Sequence, residues 1–384
     1  MGTSQRHRLS PRLSGVLAIE APIVQSGMAG VAGPELVSAV SEAGGLGVMA
    51  ALRLPPDRVR LSIRRIREAT RRPFGVNIWL HDDVRTSPDP ASVPDDVVRG
   101  AQAVLNQFRP RFDLPPTLER PAPADDLVDA AIEVMIEERI PVFSTGLGVP
   151  EAELVERFHQ VGSTVITMVA TVEDGRAAVA NGADVVVAQG REAGGHRSYG
   201  TKRARADAEG VSCLVLVPAM VDAIGAQVPV LASGGVVDGR GLAAMMALGA
   251  DGVLLGTRFV ATRESAAADL WKRRLTSGDR VTALTDGFTG QWARVLDTEF
   301  TDHWAASGAE ALPGLLQASA GYDLFGAARR AGDDQLQPLY AGAAVGRLSD
   351  IPSAAEVVRR MVADAGALLG RWPADLSGPI TEPG

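Results

Sequence analysis

Two short glycine-containing segments, Ser233-Gly234-Gly235 and Gly256-Thr257, each directly follow an apolar run of residues. Glycine has no Cβ atom, so backbone N–H groups in such segments can closely approach the oxygens of a phosphate. The hydroxyl of Thr257 adds a donor, and the N-terminus of a following helix would add favourable potential. Taken together, the two segments predict a phosphate-binding site.

A phosphate at this position is compatible with FMN, a sugar phosphate or pyridoxal phosphate. Pyridoxal phosphate needs a lysine with which to form its Schiff base. The chain has few lysines, Lys202 and Lys272 among them, and none lies at the end of a predicted strand. The pattern therefore disfavours pyridoxal phosphate and leaves the other two ligands open.

His196 has the most informative context of the five histidines in the chain. It follows Gly194-Gly195, and these glycines would allow close approach to a ligand and place the imidazole over it. Because imidazole titrates near neutral pH, His196 is the predicted general base. Three other histidines lie away from predicted strand ends, namely His7, His159 and His303. His81 and Asp82 follow a predicted strand and could face either this site or solvent.

Other kinds of chemistry find little support in the residue pattern. No cluster has the spacing of metal ligands, and there is neither a nucleophile elbow nor a Walker-type loop. The single cysteine, Cys213, lies in an apolar run and has no partner for an internal disulfide. We therefore expect no catalytic metal and a structural role for Cys213.

The elements that must position these residues are eight short apolar runs that alternate with amphipathic segments. The runs cover residues 22–25, 46–50, 74–80, 141–144, 164–169, 184–189, 228–232 and 251–255. Such alternation predicts a parallel sheet covered on both faces, and its closure predicts a TIM (β/α)8 barrel. An open doubly wound sheet is the alternative, but no G-x-G-x-x-G follows the first strand. In a barrel, the candidate residues would meet at the carboxyl ends of the strands.

The alternation predicts one main barrel over residues 15–262. Residues 263–340 lose the rhythm and are predicted to form an appended subdomain or cap, and residues 341–384 should return to the barrel through a long helix near 354–369. A proline-containing insertion at 81–125 interrupts the barrel pattern and carries a helical stretch near 95–108.

The composition is that of a globular protein, with 46% hydrophobic and 22% charged residues and a formal net charge of −8 over 384 residues. An acidic chain has no general attraction for nucleic acid or anionic membranes. No run of residues has the apolar length needed to span a bilayer, and no secretory signal is evident. We therefore expect a cytoplasmic protein that acts on small molecules.

Five segments, taken in order, resemble the nitronate monooxygenase family, formerly called the 2-nitropropane dioxygenases. They are Ala21–Gly30, Glu42–Gly47, Phe74–Asn77, Ala188–His196 and Pro338–Gly342. The resemblance extends over residues 20–260 and 338–369, and it implies a TIM barrel that binds FMN without a covalent bond.

The resemblance also implies roles for individual residues. The opening loop would contribute Gly27, Met28 and Ala29, and Asn77 and Gln189 would contact the isoalloxazine ring. Glycines and hydroxyls would surround the phosphate, namely Gly194, Gly195, Ser233, Gly234, Gly235, Gly256 and Thr257. His196 would act as base or orient a nitronate, and O2 would complete the oxidation to a carbonyl compound and nitrite. A homodimer is compatible with this picture.

Two alternatives stay open on the sequence. FMN-dependent enoyl-acyl-carrier-protein reductases have the same Ala-Gly-Gly-His signature, and a flavin-binding protein without turnover is a different class. The closing motif usually has glutamine where this chain has Ala343. This difference, the 81–125 insertion and the tryptophan-containing region 263–310 leave the identity of the substrate open.

Overall fold

Residues 10–81, 85, 88–199, 210–278 and 281–370 are described by the computed structural model. Asp82 and Lys202, considered above, lie outside these ranges. The strands, in chain order, are β1 (Ile23–Gln25), β2 (Leu46–Ala50), β3 (Phe74–Trp79), β4 (Val142–Gly146), β5 (Thr164–Val169), β6 (Val185–Gln189), β7 (Gly195–His196), β8 (Val230–Ser233), β9 (Gly252–Leu255), β10 (Thr282–Thr285) and β11 (Ala293–Leu296).

Helices surround the strands and continue beyond them. In chain order they are α1 (Pro11–Leu17), α2 (Pro34–Glu42), α3 (Pro56–Ala69), α4 (Asp95–Phe108), α5 (Val128–Glu137), α6 (Ala152–Gln160), α7 (Val172–Ala180), α8 (Cys213–Ile224), α9 (Gly239–Ala247), α10 (Thr257–Val260), α11 (Asp269–Thr276), α12 (Glu299–Ser307), α13 (Leu316–Ala320), α14 (Tyr322–Ala331) and α15 (Ala354–Leu369). Among the described residues, no helix is long and apolar enough to cross a membrane.

The predicted closed barrel is confirmed. Strands β1 to β6, β8 and β9 pair in parallel around a complete ring, and β1 closes it by pairing with β9 through Ile23 and Val253. The strands carry nearly continuous apolar side chains because one face lines the interior and the other packs against helices. Leu13 and Leu17 of α1 join the interior cluster at the amino ends of the strands and close that end of the barrel.

The appended subdomain has a small sheet and an apolar cluster separate from the barrel clusters, and both include residues from outside 263–340. Antiparallel pairing of β10 with β11, and of β11 with β7, makes a three-stranded sheet. Its apolar cluster combines side chains of α4 with side chains from residues 288–336. The 263–340 segment therefore shares its core with the 81–125 insertion.

Arg109 joins these two parts of the chain. Its side chain is 1% exposed and donates to Asp323, to the Ala320 carbonyl and to Gln102. A buried guanidinium is tolerated only when its donors are satisfied. Helix α15 returns to the barrel, where Gly239 of α9 lies so close to it that an added Cβ would come within 2.4 Å of Asp364.

Candidate functional site

A cavity of about 350 Å³ lies at the carboxyl ends of the barrel strands. The site residues expected from the sequence line it, with the exception of Asn77. They are Gly27, Met28, Ala29, Gln189, Gly194, Gly195, His196, Ser233, Gly234, Gly235, Gly256 and Thr257. The cavity has a glycine-rich end at β8 and β9 and an aromatic end beside His196.

The glycine-rich end is a concave stretch of backbone. Gly234 and Gly235 have φ angles of 119° and 72°, which side-chain-bearing residues rarely adopt. A Cβ added to Gly256 would meet only Met28 Sδ, at 3.5 Å, so this position opens toward the cavity. Thr257 Oγ1 accepts a hydrogen bond of 2.9 Å from the Gly342 amide. This end can therefore present amides to an anion at close range.

Two helices begin after the glycine segments, as the sequence predicted: α10 begins at Thr257 itself, and α9 begins at Gly239. The Asp238 carboxylate caps α9 by accepting from the amides of Arg240 and Gly241. A carboxylate at this helix terminus offsets the positive end of the helix dipole. Any anion in the cavity would therefore interact with the backbone of Gly234, Gly235 and Gly256 and with the start of α10 at Thr257, and less with α9.

Two backbone segments meet at Gly194. A Cβ added there would lie 2.5 Å from the carbonyl carbon of Ala341 and from the amide nitrogen of Gly342. Glycine is therefore required at position 194 because the closing segment passes against it. Ala343, which replaces the usual glutamine, is exposed, and its amide donates to the Glu192 carbonyl at 2.9 Å; it does not line the cavity.

His196 is held in place by backbone and side-chain contacts. Strand β7 pairs with β11, which places His196 opposite Ala293. Gln189 Nε2 donates to the His196 carbonyl at 2.9 Å, and Gln189 Oε1 accepts from the Ser198 amide at 2.8 Å. Both ends of the Gln189 amide thus fix the loop that carries His196.

The imidazole of His196 sits in an aromatic environment. Its ring lies 4.7 Å from Trp79 and 5.2 Å from Tyr340, measured between ring centroids. Nε2 lies 2.9 Å from Thr289 Oγ1. Burial lowers the pKa of His196 to about 4, because desolvation disfavours the charged ring. The imidazole is therefore neutral at pH 7 and has one nitrogen able to accept a proton.

Asn77 lies beneath the cavity wall. Its Nδ2 donates to Ser144 Oγ at 3.0 Å. A Cβ added to Gly27 would come within 2.5 Å of Asn77 Cβ, so the opening loop rests directly on this side chain. These contacts give Asn77 a supporting position, and its contact with a flavin ring stays a prediction.

Several lining residues were not singled out from the sequence. They are Leu52, Arg53, Trp79, Met168, Trp271, Thr289, Leu315, Ala318 and Tyr340, among others. Trp79 lies near the end of a predicted strand and Tyr340 lies in the closing motif, so a signal existed for both. Thr289 and Trp271 come from the region without barrel rhythm, where nothing local indicates which side chains face the cavity.

The structure places other candidates away from the cavity lining. His159 Nε2 lies 2.9 Å from Asp184 Oδ2, an ion-pair position between α6 and the start of β6. His81 does not line the cavity, and its amide donates to the Leu147 carbonyl. Within the described ranges, no group of three or more His, Cys, Asp or Glu side chains could hold a metal ion.

Cys213 is buried at the start of α8. Its Sγ donates to the carbonyls of Ser233 and Gly234 at 3.2 and 3.4 Å. Burial raises the pKa of the thiol to about 12, and the nearby Glu192 carboxylate acts in the same direction. The protonated, hydrogen-bonded thiol supports the glycine-rich backbone from behind, which is a structural role.

Comparisons with known proteins agree with this geometry. A family model described as nitronate monooxygenase matches residues 10–364. A probable nitronate monooxygenase of Staphylococcus saprophyticus is 37% identical over 294 residues, which cover 76% of this chain and 80% of that protein.

Two solved structures share the whole architecture. The nitroalkane oxidase from Streptomyces ansochromogenes has a TM-score of 0.84 and 34% identity, with 94% of this chain and 100% of that chain covered. FabK from Thermotoga maritima has a TM-score of 0.72 and 30% identity, with 94% and 97% covered. With a family match over nearly its full length, this chain belongs to the nitronate monooxygenase family.

Proposed function

We propose that the protein is an FMN-dependent nitronate monooxygenase, which oxidises alkyl nitronates or nitroalkanes with O2 to carbonyl compounds and nitrite. The observation that carries this proposal is the composition of one cavity. A glycine-rich cradle lies at one end, and a neutral histidine among aromatic rings lies at the other. Membership of the nitronate monooxygenase family supports the same reaction class.

The residues present fit FMN. The backbone at Gly234, Gly235, Gly256 and Thr257 would hold the phosphate, since positive φ angles at Gly234 and Gly235 turn this backbone into a concave surface. The loop from Gly27 to Ala29 would lie against the ring system. Bound FMN would supply the capacity to take electrons from the substrate and deliver them to O2.

His196 would accept the proton that a neutral substrate loses. The ring is unprotonated at physiological pH and can accept a proton from a carbon beside a nitro group, and its lowered pKa makes it a weaker base than a free imidazole. Burial raises the pKa of the Tyr340 phenol, so Tyr340 stays protonated and can donate to a substrate oxygen. Trp79 and Trp271 would exclude water from this end of the cavity.

The apolar walls of the cavity indicate the polarity of the substrate. Two side chains of the subdomain line the cavity together with Trp79 and Trp271. They are Leu315, which directly precedes α13, and Ala318, which lies within α13. These side chains favour an alkyl group over a polar chain. The subdomain therefore supplies part of the substrate wall, and alkyl nitronates suit it.

A visible spectrum recorded without oxygen tests the proposal. An alkyl nitronate is added to one cuvette, and NADH or NADPH to another. Bleaching of a flavin band by the nitronate alone, followed by its return with air and formation of nitrite, is the expected result. Absence of a flavin band after FMN is supplied would contradict the cofactor assignment.

The second candidate is an FMN-dependent enoyl-acyl-carrier-protein reductase. The structural similarity to FabK favours it, although the similarity to the nitroalkane oxidase is greater. In the same experiment, bleaching by NADH or NADPH alone would support the reductase. A flavin band that neither reagent bleaches would support a flavin-binding protein without turnover.

A further inference from the structure

We propose that Thr289 is a positioning residue that fixes the tautomer of His196, with the ring hydrogen on Nε2 and Nδ1 free to accept the proton of the substrate. The statement about the substrate depends on the proposed function, whereas the statement about the tautomer does not. Thr289 lies between β10 and β11 in the appended subdomain, far from His196 in sequence.

The neighbours of the Thr289 hydroxyl indicate which atom donates the hydrogen in its contact with His196. Oγ1 lies 2.9 Å from His196 Nε2. Its other polar neighbours are the Gln291 carbonyl oxygen at 3.3 Å and the Gln291 amide nitrogen, which donates to it at 3.4 Å. A hydroxyl has one hydrogen and two acceptor positions. The Gln291 carbonyl can only accept, whereas a neutral imidazole nitrogen can either donate or accept, so we assign the hydroxyl hydrogen to Gln291 and a hydrogen on Nε2 to the remaining acceptor position.

The two nitrogens of a neutral imidazole then have opposite roles. With hydrogen on Nε2, Nδ1 is the acceptor. Nδ1 has no hydrogen-bond partner among the residues that the structure describes. The ring borders the cavity, so the vacant acceptor is the one that a substrate can use.

The same hairpin also fixes the main chain of His196. Ala293 of β11 lies opposite His196 in the antiparallel pair, four residues after Thr289. One segment therefore holds the backbone of the histidine and one of its ring nitrogens. Ring rotation would break the contact with Thr289, so backbone and side chain together select a single orientation.

The chemical consequence concerns the proton transfer from a nitroalkane. The C–H bond breaks, its electron pair remains on the substrate as the nitronate, and the proton moves to Nδ1. The resulting imidazolium carries positive charge in a desolvated place. Its Nε2–H can then form a stronger hydrogen bond to Thr289 Oγ1, because the donor has become charged.

Nitrogen NMR of histidine-labelled protein, purified with its bound flavin, tests the tautomer directly. His196→Asn identifies the His196 signals by their disappearance. We expect a protonated Nε2 and an unprotonated Nδ1 in the unmodified protein and in Thr289→Ser. Thr289→Val keeps the shape and removes the hydroxyl, so the His196 signals should move toward a mixture of both tautomers.

Thr282→Val is the matched control. Thr282 is in the same hairpin, and its hydroxyl pairs with Arg294 Nη1 at 3.2 Å rather than with His196. The His196 signals should not change in this variant. A protonated Nδ1 in the unmodified protein, or unchanged signals in a folded Thr289→Val, would overturn the proposal.

Turnover gives a second readout. Thr289→Val should slow oxidation of neutral nitroalkanes at least in proportion to the fraction of His196 that loses the Nε2-protonated tautomer, and by up to roughly a hundred-fold where the ring is also misplaced. Thr289→Ser should keep the original rate. Oxidation of preformed nitronates should change little, since no proton is removed from them. If the unmodified enzyme oxidises neither compound, the proposed function fails while the NMR result still decides the tautomer.

Discussion

The imidazole of His196 is the side chain on which turnover of neutral nitroalkanes should depend most. His196→Ala should retain FMN but lose activity on these substrates by about a hundred- to ten-thousand-fold, the usual contribution of a general base. Preformed nitronates should be affected less. Steady-state kinetics with both substrates measure the difference. His303→Ala, at an exposed histidine on α12, is the control, and equal turnover in both variants would remove His196 from the mechanism.

The low pKa of His196 has a consequence for stability. Burial lowers this pKa from 6.5 to about 4. Between these values the unfolded chain binds a proton that the folded protein does not, so the free energy of unfolding falls as the pH falls from 6.5 to 4. Above pH 6.5 this contribution is fully present.

Urea unfolding across that pH window measures the effect. His196→Asn lacks the titrating ring and should show a shallower loss of stability than the unmodified protein. Thr282→Val, which removes no titratable group, should keep the original slope. Parallel curves for the unmodified protein and His196→Asn would show that burial does not lower the pKa of His196.

Two substitutions at Gly235 separate the effect of added charge on FMN binding from the effect of backbone strain. Its φ angle of 72° penalises any side chain, but asparagine and aspartate tolerate this region better than most residues and have the same shape. Gly235→Asp should release FMN because it adds a carboxylate beside the proposed phosphate position, where an added Cβ would also lie 3.3 Å from Glu192 Cβ, and Gly235→Asn should retain more of it. Flavin content after gel filtration measures this. Equal retention in both variants would place the phosphate elsewhere.

At the scale of elements, the contact between α4 and the 316–331 region depends on Arg109. Arg109→Leu leaves several hydrogen-bond acceptors without their donor, and removing one member of a buried network typically costs about 3–5 kcal/mol. Arg111→Leu is the matched control on the same turn. Its side chain is 38% exposed and pairs with Glu299 and Asp333, so the expected cost is about 0–1 kcal/mol.

Denaturant titrations of both variants give the two values. Hydrogen exchange adds a local readout: protection should fall together in α4 and in residues 288–336, while barrel strands keep theirs. Loss of protection in only one of the two segments would show that they do not form one cooperative unit.

The barrel elements were predictable because each carries its own signal. A strand such as β6, with the sequence Val-Val-Val-Ala-Gln, is apolar on both faces, and only a covered sheet explains that pattern. The shared core of α4 and residues 288–336 had no such signal. Its partners are distant in sequence, and an amphipathic helix indicates that one face is buried without indicating what buries it.

The candidate site likewise contains residues that the sequence could predict and residues that it could not. Glycines before His196 and after β8 mark places where backbone must approach something closely, and the structure places them around one cavity. Thr289 could not be found, because a threonine in an irregular loop has many roles. The capping of α9 by Asp238 was also missed, although Asp directly before a helical run is a common capping signal.

For the whole molecule, the contact between Gly194 and the Ala341–Gly342 backbone bears on the order of events during synthesis. Domains tend to fold while the ribosome is still translating, from the N-terminus onward. All eight barrel strands precede residue 256, so a nascent chain could complete its barrel early. Tyr340 and Gly342 would still be inside the ribosome, and the nascent protein would lack one wall of its cavity. Acquisition of the cofactor should therefore follow the release of Tyr340 and Gly342 from the ribosome, well after the barrel strands have formed.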